Sequence, residues 1–260
     1  MPQPPVSIVV PTYREAQNIP ILTRRVFETL RAADIPAELI FVDDHSRDGT
    51  ETLVTELAAH FPVRLITRFD ERGLSSAVVR GFSEAKYDIL LCMDADLSHP
   101  PEVLPAVIAP IADGRADFCI GSRYTAGGKT KEDWGFLRQL NSQVATLLAR
   151  PLTAAKDPMA GFFCLTRDTL DRAQAAGLNP IGYKIGLEIL IKARCQRVTE
   201  VPIEFSDRLH GKSKLTLKQQ IEYLQHLGRL YRFRWPYALP LVLFVVLVAA
   251  LAPILWVYLY

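Results

Sequence analysis

Apolar positions along this chain fall into two alternating rhythms. Short β-branched or continuous apolar runs at 6–10, 38–42, 63–67, 87–93 and 116–120 read as buried strands, the first closed by Pro11. Between them the spacing is helical. Ile19, Leu22, Val26, Phe27 and Leu30 share one face of a helix over 18–33. An Asp48-Gly49-Thr50 turn caps a second helix through Leu53, Val54 and Leu57. Helices are also predicted over 75–85 and from Pro100-Pro101 through Ile111, since proline is tolerated in a first turn. Strands alternating with helices predict an α/β fold, with a mostly parallel sheet covered on both faces.

Beyond residue 120 the rhythm loosens. A helix is predicted over 136–152, a short strand over 161–165, a helix over 184–193 and a strand-like stretch over 198–205. An amphipathic helix begins at Thr216, with Leu217, Ile221, Leu224 and Leu227 on one side, and is suited to lying in a membrane interface. The 24 residues from Tyr237 to Tyr260 then carry no charge. At about 1.5 Å per residue such a helix covers roughly 36 Å, enough to cross a hydrocarbon core of about 30 Å. Trp235 and Tyr237 at one end, and Trp256, Tyr258 and Tyr260 at the other, suit the two interfaces.

The expected division is therefore 1–214 for an α/β catalytic domain, 215–236 for an interfacial helix and 237–260 for a single membrane span. Met1-Pro2-Gln3-Pro4-Pro5 lacks the basic-then-apolar form of a signal peptide. Arg229, Arg232 and Arg234 precede the apolar run, so the positive-inside bias places the catalytic domain on the cytoplasmic side. The net charge of +2 hides an asymmetry: 205–235 alone is +5, leaving −3 elsewhere. A basic stretch beside a span attracts anionic lipid head groups. Cys92, Cys119, Cys164 and Cys195 are isolated, without metal-binding spacing, and read as reduced structural thiols.

Candidate chemistry concentrates at strand ends. Asp43-Asp44 follows the second strand, and Asp94-Ala95-Asp96 the fourth. Open α/β sheets hold ligands at such ends. Two carboxylates one residue apart can grip a hard divalent cation, Mg²⁺ or Mn²⁺, whose shell phosphate oxygens and water complete. That pattern points to a nucleotide-linked substrate. The first strand ends in Pro11-Thr12-Tyr13-Arg14-Glu15, which has no glycine, so a Rossmann dinucleotide site is disfavoured. This turn can instead offer amides, a hydroxyl and an aromatic face to a base and ribose; helix capping by Thr12 accounts for it equally well. Asp48 is read as structural, and His99 as a brace for the second acidic loop.

Several motifs then occur in order: Val-Pro-Thr-Tyr-x-Glu, Asp-Asp-x-Ser-x-Asp-Gly-Thr, Gly73-Leu74-Ser75-Ser76-Ala77 with Gly81, Asp94-Ala95-Asp96, and Gly121-Ser122-Arg123-Tyr124. As an ordered set they resemble the family-2 glycosyltransferases with a GT-A fold. Gly161-Phe162-Phe163, Tyr183-Lys184-Ile185-Gly186 with Glu188, and Arg208-x-x-Gly-Lys-Ser-Lys narrow the resemblance to dolichol-phosphate mannose synthases and their polyprenyl-phosphate relatives. The resemblance covers roughly 6–234.

It implies an inverting transfer of mannose from GDP-mannose to a dolichyl or polyprenyl phosphate. Pro11, Thr12, Tyr13, Glu15, Val42, Lys184 and Asp43 or Asp44 would hold the donor, together with Asp94 and Ala95. Asp94 and Asp96 would bind the metal. Relatives often carry Gln two places after the second aspartate; here that position is Ser98, a shorter candidate metal ligand that would coordinate through water. Asp96, Arg123, Arg208 and Lys214 would serve the transfer itself, the cations contacting donor and acceptor phosphates. Expected partners are thus a nucleotide sugar, a lipid phosphate and a membrane, with no nucleic acid. Alternatives left open are another sugar from a UDP donor and a noncatalytic membrane scaffold retaining a nucleotide-binding fold.

Overall fold

The computed structural model describes residues 3–130, 136–206 and 217–237. Its frame is a seven-stranded sheet of β1 (Val6–Thr12), β2 (Ala37–Asp43), β3 (Val63–Thr67), β4 (Ile89–Cys92), β5 (Phe118–Ser122), β7 (Phe163–Thr166) and β8 (Val198–Pro202). The spatial order is β3-β2-β1-β4-β7-β5-β8. All neighbours are parallel except β7, which runs antiparallel to both β4 and β5. A two-stranded ribbon pairs β6 (Lys129–Thr130) with β9 (Glu204–Phe205).

Helices cover both faces, as the alternation predicts. On one face α1 (Ile19–Ala32), α2 (Thr50–Ala58) and α4 (Leu104–Ala112) pack on Val6, Ile8, Val10, Leu39 and Leu91. On the other, α3 (Leu74–Ser83), α6 (Arg167–Ala175) and α7 (Ile185–Lys192) pack on Val9, Ile40, Val42 and Leu90. Alternate residues of each strand therefore feed opposite cores, which is why the strands read as continuous apolar runs. A smaller third core joins α5 (Phe136–Ala149) and α8 (Leu217–Arg234) to Leu187 and Ile191 of α7.

Three departures from the pattern have physical reasons. Strand β1 continues through Pro11 to Thr12. Val9 accepts from the Met93 N–H, so residues 9 and 11 both face β4, but the β4 pairing ends at Val9–Cys92. Pro11 thus needs no ladder donor, as a sheet proline must not. Helix α6 has no counterpart in the apolar rhythm because eight polar and small residues surround its single large apolar one, Leu170. The stretch 198–205 divides into β8 and β9, with Ile203 between them.

Among the described residues no helix is long and apolar enough to cross a membrane. The predicted span lies outside the described residues from 238 onward, as do the expected helix start at Thr216 and the basic loop carrying Arg208 and Lys214.

Close approach of α3 to the sheet rests on Gly81. A Cβ there would fall 2.4 Å from Val9 Cγ1 and 3.0 Å from Val42 Cγ2. Gly81→Ala must therefore push α3 off β1 and β2. The expected loss is about 1–3 kcal/mol of stability, read as a lower urea midpoint with an unchanged slope.

Candidate active site

The sheet order reverses between β1 and β4, and a cavity of about 190 Å³ opens at the carboxyl ends of the strands there. Its wall contains the β1 turn (Pro11, Thr12, Tyr13 and Glu15), Asp44 at the end of β2, and Asp94, Ala95 and Asp96 after β4. Leu74 and Ala77 of α3 close the far side. The two acidic clusters, 50 residues apart in the chain (Asp44 to Asp94), therefore meet in one cleft.

The first cluster is internally braced. Asp43 is buried and does not line the cavity; its carboxylate accepts from the Ser46 hydroxyl and, at 2.8 Å, from the Ser46 N–H. Asp44 accepts from two nitrogens of buried Arg68 and from the Gly73 N–H at 2.8 Å. Arg68 also reaches Ser76 Oγ at 2.8 Å and the Gly73 carbonyl at 2.9 Å. One guanidinium thus fastens the second strand end to the start of α3. Asp48 accepts from the N–H groups of Ala16 and Thr50 and from the Thr50 hydroxyl. These bonds outweigh the upward push of burial and hold its pKa below the usual carboxylate value. Val42 is fully buried beneath the cleft.

Around the β1 turn, Thr12 donates to the Val10 carbonyl at 3.0 Å, and Glu15 accepts from Asn18 Nδ2 at 2.6 Å. Half-exposed Tyr13 has the guanidinium groups of Arg14 and Arg72 at 5.2 and 5.7 Å from its ring centre. It stands at the rim as a ring already attractive to cations.

In the second cluster, Asp96 Oδ1 accepts from the Ser98 N–H at 3.1 Å and the Ser98 hydroxyl at 2.6 Å. Ser98 is fully buried, so here it braces Asp96. His99 Nδ1 accepts from the Asp94 N–H at 3.0 Å, and its ring stacks on Phe162 at 5.1 Å. Among the described residues no three His, Cys, Asp or Glu side chains gather at one metal position. Asp94 and Asp96 are hard oxygen donors of the kind Mg²⁺ and Mn²⁺ take, so a cation there would draw the rest of its shell from ligand oxygens and water.

Asp157 has no counterpart among the motifs, yet it organises the cationic side. It is fully buried, accepts from Arg123 Nε and Nη2, both at 2.8 Å, and accepts from the Arg123 N–H at 3.0 Å. Burial works against its charge, but the Arg123 fork prevails and its pKa lies below the usual value. Glu200 of β8 holds this loop through the N–H groups of Lys156 and Asp157. Arg123 also lies over the rings of Tyr124 and Phe205, at 5.1 and 5.4 Å. Lys184, immediately before α7, is half-buried and donates to the Met159 carbonyl at 2.7 Å. Burial, then repulsion from Arg123, pushes its ammonium down to about 8, against the opposing pull of Asp157 and Asp94. A lone aspartate in an apolar stretch carries no sequence signal for such a role; Arg68 likewise lies outside every motif.

Two outcomes follow from this geometry. Arg68→Ala should cost about 3–5 kcal/mol, because it strands the Asp44 charge; adding Asp44→Asn should recover part of the loss in chemical denaturation. The Lys184 side-chain resonance should titrate near about 8 rather than 10.5, and Asp157→Asn should move the midpoint lower still, since Asp157 favours the ammonium.

Residues 7–172 match the description "Glycosyl transferase family 2". The chain is 44% identical over 232 residues to a dolichol-phosphate mannosyltransferase of Pyrococcus furiosus, covering 88% of this chain and 64% of that one. It is 42% identical over 260 residues to a protein of the same name from Mycosarcoma maydis, covering 97% and 87% of the two chains. A third, from Saccharomyces cerevisiae, is 44% identical over 236 residues, with 88% of each chain covered. Among solved structures, mannosyl-3-phosphoglycerate synthase from Rubrobacter xylanophilus superposes with a TM-score of 0.63 at 19% identity, over 88% of this chain and 74% of that one. Glucosyl-3-phosphoglycerate synthase from Mycobacterium tuberculosis, in complex with Mn²⁺ and UDP-glucose, gives 0.60 at 17% identity, over 88% and 79%. At such identities the structural likeness establishes a GT-A-like fold and no more.

Proposed function

The chain belongs to glycosyl transferase family 2, and we propose that this glycosyltransferase moves mannose from GDP-mannose to a dolichyl or polyprenyl phosphate, with inversion at the sugar. The observation that carries the reading is convergence. The β1 turn and both acidic strand ends line one cleft, and Arg123 and Lys184 lie within electrostatic reach of Asp94. Three relatives at 42–44% identity bear the name dolichol-phosphate mannosyltransferase.

In this reading the β1 turn and Asp44 hold the guanosine side, with Asp43 bracing the loop beneath. Asp94 and Asp96 would hold Mg²⁺ or Mn²⁺, which when bound neutralises the leaving diphosphate. The acceptor phosphate is already an anion near neutral pH, so its oxygen needs no general base. That oxygen forms a bond to the anomeric carbon as the bond to GDP breaks, and one in-line displacement converts an α-linked donor to a β-linked product. The protein's task is to hold two anions together and stabilise the charge that leaves. Arg123 and Lys184, with Arg208 and Lys214 from the basic loop, supply that charge.

The lipid acceptor brings in the membrane. Val144, Leu147 and Leu148 of α5 and Ile221 and Leu224 of α8 are exposed apolar residues on two adjoining helices. Arg229, Arg232 and Arg234 follow on α8. We place these helices against the cytoplasmic leaflet, with 237–260 as a membrane span.

Radiolabelled GDP-mannose, a polyprenyl phosphate and Mg²⁺ or Mn²⁺ should yield label in the lipid extract, and chelation should abolish it. Asp96→Ala should lower transfer by about 100-fold, the equivalent of about 2.7 kcal/mol of transition-state stabilisation. Transfer from UDP-glucose but not GDP-mannose would overturn the donor assignment. No lipid-linked label from either donor would overturn the function.

A further inference from the structure

Helix α8 is fastened to the cationic side of the site by a buried polar cluster that the proposed chemistry does not use. Glu188 of α7 and His226 of α8 are 2% and 4% exposed; His226 Nε2 lies 3.3 Å from Glu188 Oε2, and each atom is buried with no other polar atom in hydrogen-bonding position among the described residues, so they face only one another. The other carboxylate oxygen is 2.7 Å from Lys192 Nζ and accepts from the Asn179 N–H at 2.8 Å. Lys192 donates in addition to the Gly177 carbonyl. A single carboxylate therefore ties α8, the C-terminal end of α7 and the loop 177–184 together. Burial disfavours the Glu188 charge, but the facing His226, together with Lys192 and the Asn179 N–H, holds its pKa below the usual value.

The loop so held reaches both sides of the cleft. Its Gly182 carbonyl accepts from the Ser75 N–H at 3.3 Å, and α3 presents the neighbouring Leu74 to the cavity. The loop ends at Lys184, whose ammonium is bound to the Met159 carbonyl. The Met159 side chain in turn belongs to the core formed by Tyr223, Leu227 and Leu230 of α8 with Leu187 and Ile191 of α7. The seat of α8 thus touches the loop holding Lys184 from one side and its hydrogen-bond acceptor from the other.

Stability alone gives little reason for this chemistry. Replacing a buried ion pair by apolar residues of similar volume is often neutral or favourable, whereas removing one partner is costly. What the cluster adds is a fixed geometry among three elements that apolar contacts would leave free to slide.

We propose that His226 is a positioning residue for the transfer reaction: acting through Glu188, it fixes the 177–184 loop and with it Lys184, so that the seating of α8 sets the placement of a phosphate-binding cation. This rests on the role given to Lys184 in the proposed function.

The test uses the purified full chain in detergent, with His226→Leu, His226→Gln and Glu188→Gln. The leucine fills the space without a polar group, whereas the glutamine amide can donate to Glu188. Readouts are kcat, donor and acceptor KM, and acetylation of Lys184 by acetic anhydride, mapped by peptide mass spectrometry. His226→Leu should lower kcat by about tenfold, leave donor KM within about twofold, and raise Lys184 acetylation by about fivefold. His226→Gln should recover most of both losses, and His226→Leu should add little in a Glu188→Gln background. If His226→Leu does not fold, Glu188→Gln carries the same kinetic and labelling expectation. Wild-type kcat with wild-type Lys184 labelling in a folded variant overturns the proposal, as does reduced thermal stability with kcat intact. A wild-type protein that transfers no sugar at all would instead refute the functional reading, while the labelling comparison would still report whether His226 holds the loop.

Discussion

Negative charge crowded into a small cleft must be compensated from within the protein, and the architecture around this site is largely that compensation. Asp44 is bound by Arg68, Asp43 and Asp96 by neighbouring serines, and Asp157 by Arg123. Inside a protein an uncompensated carboxylate changes its protonation or the local fold, and either would spoil a site that needs anionic oxygens at fixed positions. Each brace also does geometric work. Arg68 joins the end of β2 to the start of α3, and Asp157 joins the end of β5 to the loop leading into β7. Strand ends that the sheet alone would place only approximately are thereby held to one another.

How much of this was readable in the chain depends on how local each signal is. The strands of the first half could be read because each is buried on both faces and so nearly continuous in apolar residues. The meeting of Asp44 with Asp94 and Asp96 followed from strand ends in a parallel sheet, a rule of topology rather than of neighbouring residues. The residues that hold the site were less visible. Arg68 precedes Phe69 in an unremarked loop, and Asp157 stands between Lys156 and Pro158, with nothing in spacing or composition to mark either. Their roles come from contacts between residues 24 and 34 apart in the chain, which no periodicity records. Helix α6 leaves no mark in the sequence for a related reason: a helix that buries only Thr169, Leu170 and Ala173 has too narrow an apolar stripe to stand out.

The second half of the chain differs in construction, and the difference bears on the acceptor. Antiparallel β7, inserted between β4 and β5, brings Phe162 and Gly161 up against the acidic loop. A Cβ at Gly161 would come within 3.3 Å of Asp94 Oδ1, so the strand entry passes close beneath the carboxylate. The same segment supplies the Met159 carbonyl that Lys184 uses. One insertion in the sheet thus places an acidic and a basic surface side by side. In the proposed reaction these face the two phosphate groups that must meet, one from the nucleotide and one from the lipid.

The cationic side obeys the same electrostatic rule in reverse. Arg123 and Lys184 repel each other, and that repulsion together with burial is what lowers the lysine. Asp157 makes their proximity tolerable, but it engages Arg123 through hydrogen bonds and Lys184 chiefly through charge. The lysine is therefore the less secure of the two, poised at about 8 with a carbonyl as its bonded partner. An arriving phosphate would restore its preference for the charged state, so ligand binding and protonation would reinforce each other. A cation so placed is sensitive to small displacements, because its charge depends on which anions stand nearby. That sensitivity gives the loop before α7 a reason to be tied down by a buried carboxylate, and gives helix α8 a reason to be the element that ties it.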